Sequence, residues 1–94
     1  MHIQLITGQS KTARLQALLA NLQANGKDAR IIEANVYTAE GLRSIMDVVA
    51  SGGQRTLLVD DCSPEQIEAV LMWQSDADED NQLDDLEIHL VRKA

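Results

Sequence analysis

Residues 7–12 read TGQSKT and residues 56–61 read TLLVDD. A glycine, a serine, a lysine and a threonine ahead of an amphipathic stretch suit the capture of an anion. Glycine lets the backbone approach closely, the lysine supplies charge, and a helix start supplies oriented N–H donors. Asp60 and Asp61 end an apolar run, so they bring two carboxylates to the mouth of a strand. Gly8, Gln9, Ser10, Lys11, Thr12, Asp60 and Asp61 form the candidate anion or nucleotide site. A plainer expectation stands beside it: Gly8 makes a tight turn, Ser10 caps a helix, Lys11 and Thr12 are solvated, and an aspartate caps the next turn. No complete catalytic set accompanies these residues, so no catalytic residue and no cofactor is assigned.

A second group is defined by charge. The chain carries a net charge of −7, unevenly placed. Residues 1–55 hold six Lys and Arg against four Asp and Glu, whereas residues 56–94 hold two against eleven. Seven of those eleven acids fall within 76–87, with no base among them. Direct binding to nucleic acid is not expected, because phosphates would meet a negative field. Asp76, Asp78, Glu79, Asp80, Asp84 and Asp85 instead make an acidic interaction segment suited to a protein partner with a basic surface.

Other reactive types lack a setting. Cys62 has no CxxC partner, and the adjacent acids oppose a thiolate, so it reads as a small packed residue. His2 and His89 lie in strands without metal-ligand spacing and read as solvated or hydrogen-bonded. Trp73 reads as a core or rim anchor. No apolar run approaches the roughly 20 residues of a membrane span, and no signal peptide precedes the fold. With a single cysteine there is no internal disulfide, and a cytoplasmic protein with no membrane contact is expected.

The elements that must position these groups follow from periodicity. HIQLIT (2–7), ARIIEA (29–34) and RTLLVD (55–60) read as strands, and 86–91 as a fourth, more polar one. Leu15, Leu18, Leu19 and Leu22 recur at helical spacing behind Ser10 and stop at Asn25-Gly26. Thr38 caps a second helix with Leu42, Ile45, Met46 and Val49 on one face, ended by Gly52-Gly53. Ser63-Pro64-Glu65-Gln66 combines an N-cap, a proline at the first helical position and a capping-box glutamine. Ile67, Val70 and Leu71 are then expected in the core. The whole chain, 1–94, reads as one small three-layer βαβαβαβ domain on a four-stranded parallel sheet, P-loop or Rossmann-like. The polar fourth strand is expected at an edge, in order 2-3-1-4 or 2-1-3-4. Residues 8–12 and 60–61 should then converge beyond the carboxyl ends of the strands.

TGQSKT and TLLVDD together resemble the Walker A and Walker B elements of P-loop NTPases. Matching on Lys11-Thr12 puts Ser10 where that family has its last glycine, and the turn is about three residues short of the eight-residue motif. The resemblance implies water-mediated magnesium at Asp60 and a catalytic carboxylate at Asp61. The shortened turn implies that the phosphate wrap is incomplete and hydrolysis lost. Separately, DADEDNQLDDLE (76–87) resembles an EF-hand calcium loop, with Asp76, Asp78, Asp80, Gln82 and Glu87 at positions 1, 3, 5, 7 and 12. The strand-like segment after it departs from that motif, which requires a helix.

The expected function is a non-catalytic, P-loop-like regulatory or adaptor protein that binds another macromolecule, in the manner of an accessory protein of a mobile element. The alternative is a nucleotide-binding or phosphotransfer protein using residues 8–12 and Asp60. A third reading is a calcium-binding module through 76–87. The sequence leaves the oligomeric state open.

Overall fold

A computed structural model describes residues 1–77 and 83–93 of the chain. The elements run β1 (His2–Ile6), α1 (Lys11–Ala24), β2 (Ile31–Glu33), a 3-10 turn (Ala34–Val36), α2 (Ala39–Ser51), β3 (Thr56–Cys62), α3 (Pro64–Ala77) and β4 (Glu87–Arg92). Local chemistry sets most of these bounds. Thr38 Oγ1 accepts the Gly41 N–H at 3.0 Å, which starts α2. Ser63 and Gln66 exchange the two bonds of a capping box at 3.2 and 2.8 Å, and Pro64 is the first residue of α3. Gly26 and Gly53 hold φ of +76° and +102° just past the helices they terminate, a conformation that costs glycine nothing.

Three start-and-face expectations need correction. Ser10 does not cap α1 with its hydroxyl: its backbone is left-handed (φ 57°, ψ 39°), and its side chain makes no cap bond. A capping hydroxyl needs an extended backbone to reach the second or third N–H, and the left-handed one turns it away. Leu71 is 47% exposed, and the buried stripe of α3 is Gln66, Val70 and Trp73 instead. Helical rotation from Val70 to Leu71 is about 100°, so both cannot face one sheet. The second strand is also shorter than expected, three residues before the 3-10 turn.

The sheet has four parallel strands in the order β1-β4-β3-β2. This corrects both expected orders: β4 is interior and β1 takes the edge. The polar residues of β4 misled because Glu87 and Arg92 are its ends, while Ile88 and Leu90 are buried on one face and Val91 on the other. Right-handed crossovers on this order put α1 alone on one face and α2 with α3 on the other. The core divides accordingly. Leu15 of α1 packs with Ile6, Leu58 and Val91, and Leu42, Met46, Val70 and Trp73 pack on Leu57, Val59, Ile88 and Leu90. Leu57, Leu58 and Val59 are all fully buried, as a run covered on both faces requires. No helix among the described residues is long and apolar enough to cross a membrane.

Candidate functional site: the turn between β1 and α1

Between β1 and α1 the backbone makes two left-handed excursions. Gly8 has φ +90° and Ser10 has φ +57°. A Cβ on Gly8 would meet only Arg14 Nη1, at an ordinary 3.7 Å, so backbone conformation rather than space calls for glycine there. Ser10 occupies the position that the P-loop motif gives to glycine, and it adopts a glycine-like backbone. A left-handed residue next to right-handed helical ones turns successive N–H groups toward a shared concavity, the geometry of anion-binding nests. The Ser10 carbonyl accepts the Arg14 N–H at 3.0 Å. The N–H groups of Lys11, Thr12 and Ala13 precede any helical acceptor and are left pointing out of the helix end.

Charge at this end is reversed from the usual helix. The first turn of α1 contains no acid and its last turn no base, whereas Lys11 and Arg14 stand at the start. Cations at the positive end of a helix are unfavourable by some tenths of a kcal/mol each. Neither is in an ion pair among the described residues. An anion on the open N–H groups would relieve both the dipole and the two cations. Arg14 escaped sequence reading, although its place three residues after Lys11 puts both on one helix face.

The carboxyl end of β3 meets this turn. Thr12 Oγ1 lies 3.4 Å from Asp60 Oδ1, long for an O–H···O bond and so a loose contact. The expected convergence of the two segments is present, but not by the adjacency that motivated it. β4 separates β1 from β3, a span of about 9–10 Å, so the 8–12 turn must lean over the end of β4. β3 leans too. Its pairing with β4 slips one residue between Val59 and Cys62, and inside this bulge Asp61 has φ +59°. Asp60 Oδ1 accepts the Asp61 N–H at 2.8 Å, which holds the bulge. Ser10 and Asp61 are the non-glycine residues of positive φ among those described, and both flank this one site. Such backbone strain concentrates at binding sites.

Gln66 braces the same end of the sheet. It is buried, and its Nε2 donates to the Ala34 and Tyr37 carbonyls at 2.7 and 2.9 Å while its Oε1 accepts from Ser63. The capping box was readable from spacing; the second role, tying the β2–α2 connection to the β3–α3 turn, was not.

The remaining candidates are placed as follows. Cys62 is fully buried, and its thiol is pushed up to about 12 from 9.0 by burial and then by the charges of Asp60 and Asp61. It is a packed neutral thiol, as its neighbours foretold. The His89 side chain is only 14% exposed on the interior strand β4. Its Nδ1 is buried without a hydrogen-bond partner among the described residues, and Nε2 stands 3.8 Å from Glu87. His89 is thus less satisfied than the sequence suggested. Trp73 is buried in the α2–α3 side of the core.

Of the acidic segment, Asp78, Glu79, Asp80 and Gln82 lie outside the described residues. Asp76 sits in the last turn of α3 and pairs with Arg43 at 3.1 Å, and Asp85 lies 3.7 Å from Arg55. The Asp84 carbonyl accepts from the N-terminal amine at 3.1 Å. Glu87 opens β4 rather than a helix. Among the described residues, no three His, Cys, Asp or Glu side chains are grouped to hold a metal ion.

Compared with protein-family models, curated proteins and solved structures, the chain matches none of them.

Proposed function

We propose that the chain is a P-loop-like regulatory domain that holds a phosphate group in the 8–12 turn without hydrolysing nucleotide. The observation that carries this reading is the start of α1: a left-handed Ser10, no capping side chain, no acid in the first turn, and two cations that have no ion pair among the described residues, around open N–H groups. A helix end of that kind offers an anion open N–H donors and positive charge at one place. The contact of Thr12 with Asp60 extends the resemblance to the Walker elements, since hydroxyl and carboxylate share one locus.

Hydrolysis is not part of the proposal. Between β1 and α1 lie only residues 7–10, too few for a loop that wraps a β-phosphate and still presents the γ-phosphate to a nucleophile. Asp61, the position a catalytic carboxylate would take, is held in a strained bulge by Asp60. The domain then acts as an adaptor whose phosphate occupancy reports to a macromolecular partner, and the 76–87 segment supplies the charge that steers a basic one.

Calorimetry with pyrophosphate and with ATP tests this. Weak binding, about millimolar (near 4 kcal/mol), should vanish in Lys11→Ala, with no phosphate released from ATP over hours. Micromolar ATP affinity with turnover would instead restore the enzyme reading, and no Lys11-dependent heat at all would remove the anion site.

A further inference from the structure

Asn25-Gly26 stops α1, and Asn25 is the only one of the chain's four asparagines that glycine follows. Leu22, Val36 and Gln82 follow the others. An asparagine in that position has a chemistry of its own. The backbone nitrogen of the next residue attacks the side-chain carbonyl carbon, Cγ, and closes a cyclic imide. A side chain on that next residue crowds the attack, and glycine has none. Both residues are exposed, and a Cβ on Gly26 would meet nothing within 4 Å. No packing stands in the way of the reaction.

Hydrogen bonding does. The Gly26 N–H donates to the Gln23 carbonyl at 3.0 Å and the Lys27 N–H to the Leu22 carbonyl at 2.9 Å. These are the two bonds of a Schellman motif, with Gly26 at φ +76°. The Asn25 side chain is turned back along the helix. Its Nδ2 donates to the Asn21 carbonyl at 3.0 Å and to Asn21 Oδ1 at 2.8 Å. The nucleophile is therefore engaged, and the carbon it must reach is held over the preceding turn. Both restraints are local and exposed, and helix ends are where fraying is cheapest.

We propose that Asn25 is an intrinsic deamidation site, closed by the Schellman motif and opened by fraying of the end of α1. On opening, the Asn25 ψ rotates from its value of 13° and the Gly26 nitrogen bonds to Cγ. The Cγ–Nδ2 bond breaks, and Nδ2 leaves as ammonia with the proton of the Gly26 N–H. Water then opens the imide at either carbonyl, which leaves aspartate or isoaspartate at position 25. Water is the sole co-reactant, and nothing is oxidised or reduced. The product works against the fold. A carboxylate replaces the donor that faced the two Asn21 oxygens, and it adds negative charge at the negative end of α1. Isoaspartate also lengthens the backbone inside the Schellman motif, so its two bonds cannot both close. Each reacted chain then has a looser α1.

Peptide mapping by mass spectrometry in mildly alkaline buffer, with isoaspartate detected by enzymatic methylation, tests the proposal. Folded protein should convert at Asn25 about ten- to a hundredfold more slowly than urea-unfolded protein, since opening breaks the exposed backbone bonds of the motif. Lys27→Pro removes one of the motif's donors and should bring the folded rate toward the unfolded one. Asn25→Gln should nearly abolish the conversion, because the longer side chain misplaces the carbon for ring closure. Asn25→Asp, which installs one product, should lower the melting temperature. Equal folded and unfolded rates would overturn the gate, and conversion first at Asn21 or Asn35 would overturn the site. No conversion of folded protein in the time that ratio allows would overturn both. If Lys27→Pro fails to fold, amide exchange in the wild type decides: opening at Gly26 and Lys27 should match the slowing at Asn25, and a mismatch refutes the gate.

Discussion

Ser10 joins backbone conformation to chemistry at a single residue. A left-handed L-residue costs about 1–2 kcal/mol, and glycine avoids that cost while adding about 0.4–1 kcal/mol of unfolded-state entropy. Ser10→Gly should therefore stabilise the protein by about 0.5 kcal/mol, measured by urea unfolding, because the hydroxyl makes no cap bond to lose. A loss of about 1 kcal/mol would mean that the serine caps the helix after all. Cys62 gives a second test at this scale. Its thiol is raised from 9.0 to about 12, so the unfolded chain releases that proton first as pH rises. The contribution of the neutral thiol is fully present below pH 9.0 and is lost as pH climbs toward about 12. Unfolding free energy of the wild type should fall more steeply across that window than that of Cys62→Ala. Iodoacetamide should label Cys62 only after unfolding. Rapid labelling of native protein at neutral pH would contradict the burial.

At the scale of elements, Gln66 decides how firmly the carboxyl end of the sheet is built. Gln66→Ala should cost about 2–4 kcal/mol, since it removes the side-chain donor shared by the Ala34 and Tyr37 carbonyls as well as breaking the cap. Gln66→Glu separates the two roles: a glutamate can close the capping box but cannot donate to the Ala34 and Tyr37 carbonyls. A near-neutral Gln66→Glu in thermal melts would reduce Gln66 to a local cap. The same residue marks what a sequence discloses. Thr38, Ser63, Pro64 and the glycines after α1 and α2 act within a few residues of themselves, and their roles were legible. Strand order was not, because it depends on which strand is covered on both faces, and His2 with Gln4 in β1 reads much like Glu87 with His89 in β4. Of the site, the carboxyl-end location of the 8–12 turn and of Asp60 was legible from topology class alone. The left-handed Ser10, the bulge at Asp61 and the cation over Gly8 are placements that no signal in the sequence records.

For the molecule as a whole, charge is unevenly distributed. Positive charge gathers at the start of α1, and acids gather in the sequence at 76–87, from the last turn of α3 to the first residue of β4. The ion pairs of Arg43 with Asp76 and Arg55 with Asp85 hold the borders of the acidic segment to the body. Phosphate in the turn would bear on α1, which crosses from β1 at one edge to β2 at the other. The central claim is that the 8–12 turn holds a phosphate, and backbone amide shifts during a pyrophosphate titration address it directly. Gly8, Gln9, Ser10, Lys11, Thr12 and Ala13 should shift in a saturable manner, with the response lost in Lys11→Ala and retained in Ser10→Gly. Shifts confined to other surfaces, or an unchanged response in Lys11→Ala, would contradict the account.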